Sequence, residues 1–174
     1  IRQSKSDYIL ANGYSKNGSY ENERKQWAGY KLVWYDEFNG VEMNKSYWSN
    51  VISTSKSYNG GSARNTADPK NSYVSDGYMN LAAYQENVKD FTAGAIGTTS
   101  KVYMLYGYIE ARIKTGAGNN YVAFWLNSDN QTGEKKRPEI DILETFSSPK
   151  KLACNLHTWA NISGGEVFHI DHGA

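Results

Sequence analysis

Short apolar and aromatic runs, each bounded by residues typical of turns, make up most of this chain. The runs KLVWYDEF and YMNLAAYQ adjoin NG and DG pairs, and 16 Gly stand against only 3 Pro. Such pairs supply the positive φ angles that tight hairpin turns need. No apolar period of 3.6 residues persists over the length of an ordinary helix, and no repeat of solenoid length occurs. The pattern predicts an all-β fold, a sandwich of antiparallel sheets.

The length of 174 residues fits a single domain with a core of its own. Residues 1–26 are polar and lack a sustained period, so we expect an N-terminal extension with one helical turn near its end. Residues 27–174 are expected to form the domain.

Charge and cysteine content exclude several classes of protein. Lys and Arg (19) nearly balance Asp and Glu (18), so the overall charge predicts binding neither to nucleic acid nor to an anionic membrane. No run approaches the roughly 18 apolar residues of a membrane span. The single Cys154 rules out an intramolecular disulfide and multi-cysteine metal sites, and is expected in the core. The chain begins with Ile, which suits a processed product, and we expect a secreted, cell-surface or periplasmic location.

Two neighbouring segments carry the strongest strand patterns. The segment Tyr103–Lys114 alternates, with Leu105, Ile109 and Ile113 on one face and aromatic or charged residues on the other. It is predicted to be the clearest strand. The run YVAFWL, residues 121–126, is nearly all apolar and predicts a central strand covered on both sides.

Three carboxylates lie among apolar residues in PEIDILETF, residues 138–146. On an extended strand Glu139 and Asp141 share one face, while the isoleucines that follow them point to the core. Regular alternation would then bury Glu144 in that core at a high cost in free energy. One extra residue at 142–143, accommodated as a β-bulge, returns Glu144 to the face of the other acids. The pattern therefore predicts a bulge.

Carboxylates grouped on one face suit cleavage of a glycosidic bond, in which one acid attacks while ionised and another donates a proton. Mutual repulsion within such a group raises the pKa of the least solvated member. A sheet face of solvated or salt-bridged acids produces the same pattern. From these residues alone both interpretations stand.

Further motifs accompany the acidic segment in a fixed order. The ordered set resembles glycoside hydrolase family 16, the β-jelly-roll endo-glycanases that include laminarinases, agarases and porphyranases. The resemblance covers most of the chain from Trp34 to Trp159 and implies a concanavalin-like jelly roll of two antiparallel sheets with an open cleft. The motifs are LVWYDEFNG (32–40), NSYVSDGYMNLAA (71–83), GAIGTTSKVYMLYGYIEARIK (94–114), VAFWL (122–126), PEIDILE (138–144) and NLHTW (155–159).

The resemblance also implies catalytic roles. Glu139 corresponds to the nucleophile, Asp141 to the assisting acid that hydrogen-bonds it, and Glu144 to the general acid/base. Trp125 is implied to lie in the cleft near the acids, and His157 looks like the family histidine that neighbours the acid/base. The spacing E-x-D-x-x-E is the bulged form, similar to laminarinases, agarases and carrageenases rather than to lichenases and xyloglucan enzymes.

Other residues have two interpretations each. Arg64 and Asn65 are either cleft-loop contacts to substrate or ordinary loop residues. Trp159 either stacks on a sugar or fills the core. Trp34 and Phe38 are most simply core residues.

No cofactor or catalytic metal is expected. A structural Ca²⁺, which some family members carry, would draw on Asp36 and Glu37, although oxygen-ligand sites leave little sequence signature. Tyr121 and Val122 stand where family members commonly have a Trp-Pro pair, a departure at a sugar-stacking subsite.

The expected function is that of a retaining endo-β-glycanase. The expected substrate is a β-1,3-glucan or mixed β-glucan, with agarose or porphyran as the rival, and a sulfated polymer would favour a basic contact such as Arg64. The family continues through several strands after VFHIDHGA, so a complementary C-terminal segment or chain is an expected partner. The alternatives are a non-catalytic carbohydrate-binding jelly roll and an inactive fragment that needs those strands.

Overall fold

The computed structural model describes residues 7–8, 30–53, 63–116, 120–128, 138–146, 151–158 and 168–173. Within these ranges every regular element is a strand, which confirms the all-β expectation, and no helix is long and apolar enough to cross a membrane. The strands are β1 (Asp7–Tyr8), β2 (Lys31–Leu32), β3 (Ser49–Asn50), β4 (Ala63–Asn65), β5 (Ser72–Ser75), β6 (Tyr78–Leu81), β7 (Ala83–Asn87), β8 (Asp90–Ala93), β9 (Ile96–Gly97), β10 (Val122–Asn127), β11 (Pro138–Thr145), β12 (Lys151–Thr158) and β13 (Phe168–Gly173).

The chain divides into two compact units, Ile1–Ile113 and Lys114–Ala174. In the first unit β4, β8 and β7 form a three-stranded sheet, and β1–β2, β3–β9 and β5–β6 form pairs. Of the expected N-terminal extension only β1 is described, paired in parallel with β2, and the expected helical turn lies outside the described residues.

The β5–β6 hairpin shows how the turn signals act. Its loop is Asp76–Gly77, with φ angles of 55° and 74°. Two consecutive positive φ angles match the strand-compatible twist of a type I′ turn, which favours an Asp-Gly pair. The DG signal in the sequence is confirmed.

A fully buried asparagine organises the polar interior of the first unit. The Asn71 side chain donates to the Ala82 carbonyl at 3.0 Å and to Thr92 Oγ1 at 3.2 Å, and its Oδ1 accepts from Thr66 Oγ1 at 2.7 Å. Every polar atom of the amide group has a partner, as burial requires. Gly94 lies so close that a Cβ there would sit 2.0 Å from the Asn71 carbonyl oxygen.

Trp34 anchors an aromatic cluster in the same unit. It is buried, and its ring centroid lies 5.8 Å from that of Tyr47 and 5.4 Å from that of Trp48. The core assignment of Trp34 is confirmed. Phe38 is half-buried, with its ring 5.8 Å from that of Trp48. Edge-to-face and tilted pairs of this kind add stabilisation beyond the area that they bury.

The strand predicted at Tyr103–Lys114 is wrong, because the structure has no regular strand there. The segment bends near Gly107, whose φ is 138°, and Leu105 is 71% exposed. Alternation creates two faces, but a strand also needs a neighbour for its backbone groups. None of the described strands pairs with this segment.

In the second unit an antiparallel sheet has the order β10-β11-β12-β13. Among the strands that the structure describes, β10 lies at the end of this order, so the central position predicted for YVAFWL is not found there. All but the last of its residues are half-buried. The apolar residues of this strand are therefore partly buried, and the strand is not fully buried on both faces.

One face of this sheet is only partly covered. Ile140, predicted to point into a core, is 45% exposed, and Leu156 directly opposite it is 43% exposed. Leu126 pairs with Ile140 on the other side, so the three form an apolar row across β10, β11 and β12. Ile142 is half-buried. Period-two alternation assigns residues to a face correctly but does not specify how far that face is covered.

Candidate active site

A β-bulge in β11 arranges the acidic segment. In the pairing with β12, Asp141 lies opposite Asn155 and Glu144 lies opposite Ala153. The two β11 residues between these acids, Ile142 and Leu143, therefore lie opposite a single residue, Cys154. Two residues opposite one is the defining count of a bulge. The bulge predicted at residues 142–143 is confirmed. The half-buried Cys154 thiol donates to the carbonyl of Ile142 at 3.1 Å, which ties the bulge to β12.

The bulge turns Glu144 onto the face of Asp141. Glu144 is only 6% exposed, and both of its carboxylate oxygens accept hydrogen bonds. The Tyr121 hydroxyl donates to Oε1 at 2.5 Å, and Asn155 Nδ2 donates to Oε2 at 2.5 Å. A hydrogen bond to an ionised carboxyl group is stronger than one between neutral groups. Glu144 is thus held at both oxygens, by a side chain that immediately precedes β10 and by one from β12.

Small residues flank Glu144 on both sides. Ala123 of β10 and Ala153 of β12 stand directly opposite it in the two ladders. Directly opposed residues share a sheet face, with Cβ atoms about 5 Å apart. Only methyl groups therefore stand directly opposite Glu144 in the two ladders.

Asp141 is the most deeply buried of the three acids, at 4% exposure. Its Oδ2 lies 2.8 Å from Nε2 of His157 but accepts no aligned hydrogen bond, so the contact is electrostatic. Burial first, then the charges of Glu144 and Glu139, raises the pKa of Asp141 to about 6, against an opposing effect of His157. The least solvated acid carries the raised pKa, as the sequence predicts.

Glu139 is half-buried and lies directly opposite His157 of β12 and Asn127 of β10. Glu139, Asp141 and His157 each have one oxygen or nitrogen atom that could bind a metal ion, and these three atoms lie within 4.8 Å of one another. The three side chains therefore converge on one small volume. The hydrogen bond expected from Asp141 to Glu139 stays a prediction.

Trp125 and His157 occupy defined positions beside these acids. Trp125 stands directly opposite Asp141, so it shares the acid face. His157 contacts Asp141, whereas the residue of β12 that bonds Glu144 is Asn155, two positions earlier. Asn155 is therefore a bonded neighbour of Glu144, and the expectation that His157 neighbours the acid/base stays a prediction. Contact of Trp125 and His157 with substrate stays a prediction.

A model of one glycoside hydrolase family, described as "Beta-porphyranase A-D, GH16 domain", matches residues 33–169. This chain belongs to glycoside hydrolase family 16. The GH16 domain is also 28% identical over 171 residues to glucan endo-1,3-beta-glucosidase A1 of Niallia circulans, with 84% of this chain and 25% of the relative covered. It thus spans a quarter of that relative's length.

Solved structures share the fold. The laminarinase catalytic domain, an endo-1,3-beta-glucanase, of Thermotoga petrophila RKU-1 matches with a TM-score of 0.61 and 20% identity, over 83% of this chain and 62% of that one. A structure from work on endo-acting O-glycanases of the human gut microbiota matches with a TM-score of 0.63 and 22% identity, over 81% and 58%. The jelly-roll expectation is confirmed.

The other predicted site residues lie apart from β11 in the chain. Arg64 and Asn65 belong to β4 of the first unit, where Arg64 Nη2 lies 3.5 Å from Asp90 Oδ2. The Asn65 backbone N–H donates to Ser53 Oγ at 2.8 Å. Trp159 lies outside the described residues. Arg64 also borders an open cavity of about 400 Å³, lined in addition by Thr66, Asp68, Lys70, Glu86, Asp90 and Thr92.

Asp36, considered as a Ca²⁺ ligand, is engaged within the protein. Its Oδ2 accepts from the Trp48 indole at 2.9 Å and its Oδ1 from the Phe38 amide at 2.8 Å. These bonds orient the aromatic cluster around Trp34. A structural Ca²⁺ stays a prediction.

The sequence did not assign Tyr121 and Asn155 to the site. A signal existed for each. Tyr121 departs from the family's Trp, and Asn155 precedes His157 by two residues, the spacing of a shared strand face. Recognising their partner requires the bulged register, because only that register brings Glu144 beside them.

Proposed function

We propose that this GH16 domain is a retaining endo-β-glycanase that hydrolyses internal bonds of an extended polysaccharide. The observation that carries the proposal is the bulge of β11, which sets Glu144 on the same sheet face as Asp141. Two carboxylates with different surroundings on one face are what double displacement requires. Glu144 is tied at both oxygens, whereas Glu139 is half-buried opposite His157.

In the proposed reaction Glu139 attacks the anomeric carbon while Glu144 protonates the leaving oxygen, which breaks the glycosidic bond and leaves a glycosyl ester on Glu139. Glu144, now ionised, removes a proton from water, and the water oxygen attacks the same carbon to release the sugar and regenerate Glu139. Each carboxyl group ends in its starting protonation state.

The partners of Glu144 indicate which oxygen carries the transferable proton. The Asn155 amide nitrogen only donates, so Oε2 must remain an acceptor. The Tyr121 hydroxyl both donates and accepts, so a proton on Oε1 keeps a partner when Tyr121 rotates its own proton away. We therefore assign the proton of the acid form to Oε1. Tyr121 would serve both protonation states of Glu144.

Asp141 has a supporting role in this proposal. A carboxyl group with a pKa near 6 is substantially protonated in mildly acidic solution and can then donate a hydrogen bond. Donation to Glu139 would orient the nucleophile and stabilise its ionised form. His157, 2.8 Å from Oδ2, holds the other side of Asp141 in place.

The proposed substrate is a neutral β-1,3-glucan or mixed β-glucan. Two relatives that share sequence or fold with this domain are named for endo-1,3-glucan cleavage. The guanidinium of Arg64, the basic group considered for a sulfated polymer, is paired with Asp90 within the first unit. A porphyran-type galactan is the second candidate, favoured by the description of the matching family model.

The test is hydrolysis of laminarin, mixed-linkage glucan, agarose and porphyran by the 174-residue chain, with the products separated by size. Internal cleavage predicts oligosaccharides of intermediate length from the first minutes. Glu139→Gln and Glu144→Gln should each lower the rate by at least about 10³-fold, while the exposed Glu42→Gln should match the wild type. A folded chain that binds a polymer without cutting any would support the carbohydrate-binding jelly roll instead.

Such polymers are met outside the cell, so a secreted, cell-surface or periplasmic location belongs to the same proposal. Export of the full-length protein can be followed by fractionating its host and assaying each fraction with an antibody. Recovery confined to the cytosolic fraction would contradict that location.

A further inference from the structure

Two carboxylates and one imidazole converge beside the bulge. Glu139 and Asp141 lie two residues apart on one face of β11, and His157 lies directly opposite Glu139 on β12. One potential ligand atom from each falls within 4.8 Å of the others. Adjacent strands hold all three groups, so the backbone that presents them is hydrogen-bonded on both sides of β11.

Asp141 supplies a second and independent observation. Only 4% of Asp141 is exposed, yet no donor is aligned to form a hydrogen bond with its Oδ2. This is the oxygen that faces His157 Nε2 at 2.8 Å. A buried carboxylate oxygen left without a hydrogen bond is costly, and a cation bound between the two atoms would satisfy it.

The donor set distinguishes between cations. Ca²⁺ prefers six to eight oxygen ligands, whereas Zn²⁺ takes nitrogen and oxygen ligands in a tetrahedral arrangement. With metal–ligand distances of about 2.0 to 2.2 Å, tetrahedral ligands lie about 3.3 Å apart. The Nε2–Oδ2 distance of 2.8 Å would open slightly, and the three ligand atoms, which already lie within 4.8 Å of one another, would draw together around the ion.

We propose that Glu139, Asp141 and His157 bind a first-row divalent cation, Zn²⁺ being the best match, and that the bound ion inhibits this domain. Metal binding is independent of the proposed function, whereas inhibition rests on it. An ion on Glu139 occupies the lone pair that would attack the sugar. The fourth coordination position would hold water where the anomeric carbon must approach.

Isothermal titration of Zn²⁺ into the metal-free chain tests the site. The wild type should bind one equivalent, and Glu139→Gln and His157→Gln should each weaken that affinity at least about tenfold. Glu144→Gln keeps the three ligands and should retain Zn²⁺ affinity. The matched control is the double variant His169→Gln with His172→Gln, which replaces the chain's two other histidines. It should also retain Zn²⁺ affinity. Zn²⁺ affinity unchanged in His157→Gln, or lost only in the control, would overturn the proposal.

A second measurement does not depend on variants that fold. Co²⁺ bound to the wild type at the proposed site should give visible absorption bands of a four- or five-coordinate ion, which one equivalent of Zn²⁺ abolishes. Bands identical to those of aqueous Co²⁺ would contradict the site.

Hydrolysis assays separate this proposal from the proposed function. Zn²⁺ should lower the rate of polysaccharide cleavage, and a chelator should restore it. Active enzyme that is indifferent to saturating Zn²⁺ refutes the inhibitory site and leaves the glycanase intact. Zn²⁺ binding that depends on His157, in a chain that cuts no polymer, supports the site and counts against the glycanase alone.

Discussion

The hydroxyl oxygen of Tyr121 lies 2.5 Å from Oε1 of Glu144, although the two residues are 23 positions apart in the chain. Strand β10 begins one residue after Tyr121, and its first residue pairs with Thr145, the residue after Glu144. The Tyr121 ring also lies 5.3 Å from that of Phe146. Strand pairing and ring contact together fix the hydroxyl over the carboxyl group.

Replacing Tyr121 with Phe removes the hydroxyl and keeps the ring. Glu144 Oε1 then loses its donor and the carboxyl group is held less firmly, so kcat should fall while KM changes little. The rate at the optimum should fall about tenfold. The control is Tyr73→Phe on the β5–β6 hairpin. An unchanged kcat would show that Tyr121 does not position Glu144.

Asn155→Ala should affect turnover more than substrate binding. The change leaves the buried Oε2 of Glu144 without its donor and frees the carboxyl group to rotate. We expect kcat to fall about 10- to 100-fold with KM changed less than threefold. A matched control is Asn80→Ala, whose amide serves the β5–β6 hairpin. Equal losses in both variants would point to general destabilisation rather than to positioning of Glu144.

The raised pKa of Asp141 predicts a specific dependence of stability on pH. In the unfolded chain this group titrates near 3.8, so between about pH 4 and 6 the folded state binds more protons. Its contribution to stability is therefore greatest in acid and falls as pH rises through about 6. Relative to Asp141→Asn, the wild type should lose about 2 to 3 kcal/mol of unfolding free energy from pH 4 to pH 7.

Urea unfolding of both proteins at pH 4, 6 and 7 measures this difference. Only the difference between them is diagnostic, because the variant lacks the carboxyl group that titrates. Parallel curves for wild type and variant would mean that Asp141 keeps its ordinary pKa in the folded state.

Gly94→Ala tests the polar interior of the first unit. The new Cβ would meet the Asn71 carbonyl oxygen at 2.0 Å, a backbone atom that cannot move without breaking the surrounding hydrogen bonds. We expect a loss of about 3 kcal/mol or more in unfolding free energy. Gly116→Ala is the control, since its nearest neighbour would be Asn120 Nδ2 at 3.7 Å. Similar thermal stability of the two variants would contradict the packing described here.

The sequence predicted the local features of this fold well. Asp76–Gly77 and the bulge after Asp141 both follow from rules that involve only a few neighbouring residues. A positive φ and a buried carboxylate are costs that the chain must resolve locally. The acid face of β11 therefore follows from the sequence alone.

Features that depend on distant partners were not predictable in the same way. The alternation at Tyr103–Lys114 is real, but its backbone finds no partner among the described strands. Likewise the apolar character of Ile140 does not reveal that nearly half of it is exposed. The pairing of Tyr121 and Asn155 with Glu144 depends on register across three strands, which one sequence does not specify.

The central claim is double displacement through Glu139 and Glu144. The most direct measurement follows the anomeric protons of the first products by ¹H NMR during hydrolysis of the β-linked polymer that the panel identifies. Retention predicts that the β-anomer appears first and that the α-anomer grows only by mutarotation. Initial release of the α-anomer would mean inversion, and Glu139 would then activate a water instead of attacking the sugar.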